Sequence, residues 1–252
     1  MKYSQEFKDF LGQFEKYDND YLIGAGNPMS NILLVGQETS DDASSFNSYK
    51  YWIDKIKGDY EPICRKFADT ELIKDENEKK KAIEWWNKPQ SLWRNYQRLF
   101  DCISYKYKGD YRKKPLEMDF EHYSFQTEVS GIYCERNAEA RKKADHKDEI
   151  RKRKEVFFRT SFIQHFPITI LACGNYFRND EYEREINNIF GVTFKERFSF
   201  KKQWFCTHYD TTGKKLVIHT RNLSNGVSGD MIKKMGVVVR DHMDDWGLWP
   251  DP

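Results

Sequence analysis

The stretch NILLVGQETSDD, residues 31–42, joins a short apolar run to a polar and acidic loop. The run ILLV is typical of a strand that is buried on both faces of a parallel sheet. It ends at Gly36, and Glu38 follows two residues later. A glutamate at the carboxyl end of a strand can take a proton from water or stabilise a developing cation. Capping a following helix or facing solvent also suits Glu38, and spacing alone favours this interpretation over a functional one.

Two later segments repeat the pattern. PITILACGN, residues 167–175, ends its apolar run at Gly174 and Asn175, and KLVIHTR, residues 215–221, ends at Arg221. Segments with helical spacing lie between these apolar runs, and strands that alternate with helices indicate an α/β fold. The carboxyl ends of parallel strands meet at one edge of the sheet. We therefore expect one α/β domain over residues 1–252, with three strand ends around a common crevice.

The remaining elements follow from periodicity and from turn residues. Helices are predicted within residues 4–17, 88–104, 135–166, 181–191 and 230–243, and further strands within 122–131, 192–200 and 202–210. The first helix has an apolar stripe that includes Phe7, Phe10 and Phe14. The second half of the charged segment 135–166 is expected to carry five apolar side chains into the core, namely Val156, Phe157, Phe158, Phe162 and Ile163.

Composition excludes some classes of protein. The net charge is only +2, from 42 basic and 40 acidic residues, so the whole molecule lacks the strong positive field of a dominant phosphate binder. The five cysteines form no CxxC pair, which argues against a disulfide framework or a zinc knuckle. No run reaches the ~18 apolar residues that a membrane span needs. We expect a cytoplasmic protein with no membrane partner, and its oligomeric state stays open.

The loop that follows the last apolar strand, RNLSNGVSG, is rich in hydrogen-bonding groups. Asn222, Ser224 and Asn225 offer donors and acceptors, and the glycines let the backbone approach a ligand closely. The stretch is equally explained as turn chemistry, with Ser228 as the N-cap of the last helix. Under either interpretation, the backbone N–H groups at the helix start suit a phosphate.

Two titratable residues lie in predicted strands. Glu128 is costly inside a sheet unless it is paired or points into a cleft, so a surface position at the strand end is favoured. His219 is interpreted as a satisfied core or cleft histidine rather than a catalytic base. No HxxxH or HExxH pattern predicts a metal site, and no nucleotide-cofactor fingerprint or GxSxG elbow is found. The basic run 141–154 is interpreted as a solvated helix face, with a phosphate backbone as its alternative partner.

The order of these pieces resembles the uracil-DNA glycosylase-like superfamily. Its first motif is an apolar strand followed by Gly-Gln-Asp-Pro or Gly-Glu-x-Pro, and this chain has Gly-Gln-Glu-Thr at residues 36–39. Its last motif is a strand followed by His-Pro-Ser and a loop that inserts into DNA, and this chain has Asn-Leu-Ser at 222–224. The resemblance extends over about residues 30 to 245. It implies a three-layer α/β/α sandwich with a central, mostly parallel sheet.

The resemblance also implies roles for individual residues. Such enzymes flip a base out of the duplex and read its Watson–Crick edge in a pocket. Glu38 stands where the family has its water-activating carboxylate, and Asn222 where it has the histidine that stabilises the departing base. Leu223 and Ser224 stand in the loop that meets the minor groove. The implied ligand-binding residues are Gly36, Gln37, Thr39, Glu128, Gly174, Asn175, His219, Arg221, Leu223, Ser224 and Asn225.

Departures from the motifs change the expected chemistry. Asn222 can donate a hydrogen bond to a leaving group, but it cannot carry a positive charge. Thr39 replaces the stiff proline, and Glu128, as an acceptor-only carboxylate, favours a base edge rich in donors. The expected function is hydrolysis of the N-glycosidic bond of a modified base in DNA, without a cofactor. The alternatives are a non-catalytic nucleotide- or nucleic-acid-binding module and a small-molecule hydrolase that uses Glu38 with His219.

Overall fold

The computed structural model of the chain describes residues 2–17, 21–38, 48–61, 75–77, 80, 92–104, 118–132, 142–180, 182, 184–224 and 226–249, without the side chain of Glu38. The strands are β1 (Ala25–Gly26), β2 (Ile32–Glu38), β3 (Phe125–Ser130), β4 (Ile168–Leu171), β5 (Thr193–Phe200), β6 (Gln203–Tyr209) and β7 (Leu216–Thr220). The α-helices are α1 (Gln5–Gly12), α2 (Tyr49–Lys55), α3 (Leu92–Ile103), α4 (His146–Glu155), α5 (Ser161–His165), α6 (Glu185–Phe190) and α7 (Gly229–Trp246). Short 3-10 turns are formed by Phe120–His122, Phe157–Arg159 and Gly174–Tyr176.

These strands form one mixed sheet of seven strands, in the order β1-β3-β2-β4-β7-β6-β5. The four central strands β3, β2, β4 and β7 run parallel, whereas β1, β6 and β5 pair antiparallel. Three of the six pairings are therefore parallel, and the prediction of a mostly parallel sheet holds only for the centre. The outer strands differ because β5, β6 and β7 are joined by short connections, which favour antiparallel pairing.

Alternate residues of the central strands pack on opposite faces of the sheet. In β2, Leu33 and Val35 join a cluster with α1 and α5, while Ile32 and Leu34 join a second cluster with α3 and α7. Successive side chains of a strand point to opposite faces, so an unbroken apolar run is needed when helices cover both. This confirms the α/β class that the ILLV run predicted.

Strand order reverses between β2 and β4. The chain passes from β2 to β3 on one side and then crosses to β4 on the other side of β2. Open α/β sheets bind ligands outside the carboxyl ends of the strands at such a switch point. The residues at this place are Gly36 to Glu38 at the end of β2 and Ala172 to Gly174 after β4.

Most predicted elements agree with the structure in type, but the described part of the segment 135–166, predicted as one helical segment, forms α4, a 3-10 turn and α5. Ser4 Oγ accepts a hydrogen bond from Phe7 N and begins α1, and Gly191, at φ 65°, ends α6. The prediction that Val156 lies in the core is wrong, because its side chain is 43% exposed while its aromatic neighbours Phe157 and Phe158 are buried.

Among the described helices, none is both long enough and apolar enough to cross a bilayer. The segment 106–115, whose residues KYKGDYRKKP indicate a basic loop, and Pro89, near the start of the helix predicted within 88–104, lie outside the described residues.

Candidate functional site

Gly36 and Glu128 face each other across the parallel pair of β2 and β3. A Cβ atom at position 36 would overlap the Glu128 carboxylate, so glycine provides the space that this carboxylate occupies. Glu128 is half-buried, and its Oε2 is shielded from solvent. Glu128 is therefore less exposed than the favoured surface position at the strand end implies. The carboxylate lies over Gly36, near the end of β2 and the switch point.

Gln37, near the end of β2, forms side-chain hydrogen bonds to the segments that follow β4 and β7. Its Nε2 donates to Cys173 O after β4 (3.1 Å), and its Oε1 accepts from Asn222 Nδ2 after β7 (2.9 Å). Asn222 Oδ1 in turn accepts from Ser224 N (2.7 Å). Both amide side chains are thus oriented by fixed partners. We call Gly36, Gln37, Glu128, Gly174 and Asn222 the switch-point cluster.

Glycine at position 174 is favoured by its backbone conformation rather than by lack of space. Its φ is +58°, and a Cβ there would lie 3.5 Å from Gln37 Nε2 and 3.9 Å from Arg221 Cα. The left-handed backbone favours glycine because other residues meet their own carbonyl oxygen there. Asn175, the next residue, is exposed, and Arg221 is half-buried. The structure thus brings the predicted ends of β2, β4 and β7 together.

His219 is buried and hydrogen-bonded through both ring nitrogens. Nδ1 accepts from Asn179 Nδ2 (3.2 Å), so Nε2 carries the hydrogen and donates to Gly174 O (2.7 Å). Burial lowers its pKa to about 4, although the bond to Gly174 opposes the shift. The imidazole is neutral near pH 7 and has no vacant acceptor. It does not provide the base that a Glu38–His219 hydrolase requires.

Asn179 extends this network to a second histidine. Its Oδ1 is 3.3 Å from His208 Nε2 and accepts from Arg184 Nη1 (3.1 Å). His208 Nδ1 lies 3.2 Å from Val217 O, and burial lowers the His208 pKa to about 4. Asn179 was not predicted as a site residue. It lies 40 residues from His219 and 29 from His208, so no local pattern relates the three.

Arg153 is a second residue that sequence patterns missed. It belongs to the basic run predicted as a solvated face, yet its side chain is fully buried. Its guanidinium donates to Thr127 Oγ1 (3.0 Å) and Glu128 O (3.1 Å) and stacks on Phe157 at 4.0 Å. These hydrogen bonds hold the β3 backbone in place at Glu128. Most of its neighbours in α4 are exposed, as predicted.

In the loop after β7, Leu223 lies in the core, while its described neighbours are half-buried or exposed. Leu223 is fully buried in the α3–α7 cluster, which disagrees with its predicted place in a loop that meets the minor groove. Gln203 donates to Gly226 O and accepts from Ser228 N (2.7 Å), which fixes the chain just before α7. Ser228 occupies the N-cap position, but its side chain makes no capping bond.

Three of the predicted site residues lie partly or wholly outside the described part of the chain. Glu38 is the last residue of β2 and pairs with Ser130, but its side chain lies outside the described part of the chain. Thr39 and Asn225 also lie outside it.

The described His, Cys, Asp and Glu residues form no group of three or more that could hold a metal ion. Burial also raises the pKa of the Cys173 thiol, so this cysteine is not a nucleophile.

A separate cavity of about 330 Å³ lies at the opposite edge of the sheet. Its lining includes Ile32, at the start of β2, with Phe100, Ile103 and Met243. It is mostly apolar and far from the convergent amides and carboxylate of the switch-point cluster. Polar side chains, among them Asn27, Asp119 and His122, also line this cavity. The switch-point cluster is the better candidate because α/β proteins usually bind ligands at the carboxyl edge of the sheet.

The chain matches no protein-family model, and it matches no curated protein or solved structure above the significance threshold. The class that fold and site define is therefore an α/β protein with a polar switch-point site. Any closer assignment rests on the motifs and on the geometry around Gly36, Gln37 and Asn222.

Proposed function

We propose that this protein is a divergent DNA glycosylase of the uracil-DNA glycosylase-like type. In this proposal it binds a modified base and hydrolyses its N-glycosidic bond. The observation that carries the proposal is the hydrogen bond between Gln37 and Asn222. These residues belong to the two motifs that carry the resemblance, and the bond places them side by side at the switch point. The two covered sheet faces are also compatible with the three-layer sandwich of that superfamily.

Recognition of the base rests on Gln37 and Glu128. An amide can donate and accept, whereas an ionised carboxylate only accepts. A flipped base that presents amino or ring N–H donors complements this pair, and one that presents only carbonyl groups does not. The proposed substrates are therefore bases with a donor-rich Watson–Crick edge.

Catalysis would depend on Glu38. In the proposed reaction its carboxylate orients a water whose oxygen bonds to C1′ of the sugar as the C1′–N bond breaks. The products are the free base, which takes up a proton, and an abasic site. Asn222 would stabilise the charge that develops on the base by donating a hydrogen bond. Because an amide carries no charge, slower turnover is expected than with a cationic group there.

The direct test compares the wild-type protein with Glu38→Gln on duplexes that carry uracil, hypoxanthine, modified cytosines or oxidised bases. Abasic sites are read as nicks after alkaline treatment. We expect nicking by the wild type on a donor-rich base and a loss of about 100-fold or more in Glu38→Gln, the usual contribution of a general base. Glu196→Gln, at an exposed carboxylate of β5, is the matched control and retains full activity. A folded wild type that nicks none of the duplexes contradicts the proposal.

Binding without turnover is the second candidate, and the engaged state of His219 favours it. Neither ring nitrogen of His219 is vacant, and one donor of Asn222 is already used by Gln37. Fluorescence polarisation with single- and double-stranded oligonucleotides separates the candidates. A protein that binds tightly without product, and whose affinity is unchanged by Glu38→Gln, is a binding module. Loss of product with retained affinity supports the enzyme.

A further inference from the structure

Trp204 lies at the carboxyl end of β7, on the same face of the sheet as His219. In the antiparallel pair of β6 and β7, Phe205 faces Thr220, so Trp204 extends one position past the end of β7. Its backbone O accepts a hydrogen bond from Thr220 Oγ1 (2.8 Å), and its ring centroid is 5.1 Å from that of His219. The indole is therefore placed at the edge of the sheet that carries the switch-point cluster.

His219 connects the indole of Trp204 to the switch-point cluster. Its Nε2 donates to Gly174 O (2.7 Å), and a Cβ atom at Gly174 would lie 3.5 Å from Gln37 Nε2. One imidazole ring and one glycine thus separate Trp204 from the proposed base site. A ligand that fills the base site and also contacts Trp204 would extend along this edge of the sheet, as successive nucleotides of a strand do.

The guanidinium group of Arg197 lies over this indole. Arg197 Cζ is 4.9 Å from the centre of the Trp204 ring, and Arg197 is exposed while Trp204 is half-buried. Neither side chain forms a hydrogen bond or an ion pair with another described residue. An arginine over a tryptophan is a favourable cation–π pair. The pair therefore holds the guanidinium plane in place while its hydrogen-bond donors stay available.

The buried groups beneath this pair experience a positive local charge. Burial is the main cause of the lowered pKa of His219, and Arg197 lowers it further. Burial likewise lowers the pKa of His208, and Arg184 adds to that shift. The pKa of the Cys206 thiol is raised by burial, and both guanidinium groups oppose this shift. Among the described carboxylates, none contributes to any of the three shifts, so this face of the sheet attracts anions.

A second pair on the same face shows how a structural guanidinium differs from an available one. Arg184 Cζ lies 4.3 Å from the centre of the Phe194 ring, and Arg184 Nη1 donates to both O and Oδ1 of Asn179 (3.2 and 3.1 Å). Its donors are thus partly used within the protein. Arg197 forms no such hydrogen bond with the described residues, so its planar fork can meet a ligand.

We propose that Arg197 and Trp204 form a stacking platform for an unpaired base of a DNA strand, next to the switch-point cluster. Aromatic rings and guanidinium planes stack on the faces of bases, and guanidinium donors also bind phosphate oxygens. A base within a duplex is covered on both faces by its neighbours, so only an unpaired base reaches the platform. This inference rests on the proposed function, because a strand that delivers a base to Gln37 passes this place. It adds the substrate class, which is a single strand or a locally opened duplex.

The test measures fluorescence polarisation of two labelled probes, an oligothymidylate and an abasic strand of the same length, which has the same phosphates but no bases. Trp204→Leu should lower the affinity for the oligothymidylate about tenfold, the usual loss when one base is no longer stacked. Its affinity for the abasic strand should be unchanged, because that strand has no base to stack. Trp204→Phe keeps an aromatic ring and should show a smaller loss. Equal losses on the two probes would identify Trp204 as a structural residue and overturn the platform.

Trp246→Leu is the matched control. Trp246, at the end of α7, is 40% exposed, and Lys214 Nζ lies 5.3 Å from the centre of its ring. This cation–π pair lies away from the switch point, so the variant should bind both probes as the wild type does.

Two variants of Arg197 keep the test decisive if Trp204→Leu does not fold, because Arg197 is exposed. Arg197→Met should lower the affinity for the oligothymidylate, and Arg197→Lys, which keeps the charge without the planar group, should lower it less. Wild-type affinity in both Arg197→Met and Trp204→Phe would overturn the platform. So would a wild type that binds neither probe.

Thymidine monophosphate tests a free nucleotide as the source of the base. If it binds as tightly as the oligothymidylate and depends equally on Trp204, the ligand is a free nucleotide and the assignment of a strand is overturned. The two proposals fail separately. Strand binding that depends on Trp204 but occurs without base excision refutes the glycosylase alone, whereas excision from a single strand that is unchanged in Trp204→Leu refutes the platform alone.

Discussion

At the scale of single residues, Gly36 and Glu128 depend on each other. The carboxylate occupies the space that a side chain at position 36 would need. The glycine was recognisable as the end of a strand, but its steric purpose was not, because Glu128 lies 92 positions later and only the strand register pairs them. Leu223 illustrates the same limit, since its neighbours suggested a loop and its side chain lies in the core.

Gly36→Ala should destabilise the protein by about 1 kcal/mol, the lower end of the usual cost of overpacking, because the Glu128 carboxylate can shift in part to make room. In a Glu128→Ala background the same change should cost little, since the overlapping group is gone. Urea unfolding of the two single variants and the double variant measures the coupling. Gly12→Ala is the control, because nothing lies within 4 Å of its Cβ position. Equal costs of Gly36→Ala in both backgrounds would contradict the steric explanation.

At the scale of elements, the turn between β5 and β6 contains a residue in an unfavourable conformation. Phe200 pairs with Gln203, so Lys201 and Lys202 form the loop of a hairpin. Lys201 has φ 57°, in the left-handed region that favours glycine. The two strands were predicted, but no Asn-Gly or Asp-Gly signal marked their turn. The order of the antiparallel strands also required the structure.

Lys201→Gly should raise the free energy of unfolding by up to about 1 kcal/mol, because it relieves a left-handed backbone. Lys202→Gly, at a neighbouring position without positive φ, should lower it by a few tenths to about 1 kcal/mol through the greater entropy of the unfolded chain. Urea unfolding compares the two variants. Destabilisation of both to the same extent would contradict the assignment of strain to Lys201.

At the scale of the whole molecule, a buried polar network connects distant parts of the chain. Asn179, after β4, lies between His208 in β6 and His219 in β7. Both histidines have a pKa near 4, mainly because of burial, and Arg184 further lowers that of His208. Because His219 Nδ1 accepts from Asn179, the network requires a neutral His219. Burial keeps His208 neutral as well, so protonation of either histidine opposes folding.

Stability should consequently fall as the pH decreases below 6.5, where the unfolded state binds protons that the folded histidines do not, and the loss should end near pH 4. Between pH 7.5 and 5.5 the two histidines together should cost about 3 kcal/mol. Urea unfolding at these two pH values measures the loss. His219→Gln should remove about half of it, and His165→Gln, at an exposed histidine, should not change it. An unfolding free energy that is constant over this range contradicts the prediction.

Most local elements and the α/β class could be predicted from the chain alone. Apolar periodicity is a local property, so runs such as ILLV and the stripe of α1 specify burial without knowledge of their partners. Which polar residues meet could not be predicted, because it depends on the arrangement of strands far apart in the chain. Gln37 and Asn222 are 185 positions apart, and strand order and register bring them into contact. The exposure of Val156 and the burial of Arg153 likewise could not be predicted, because the solvation of a side chain depends on which distant residues pack beside it.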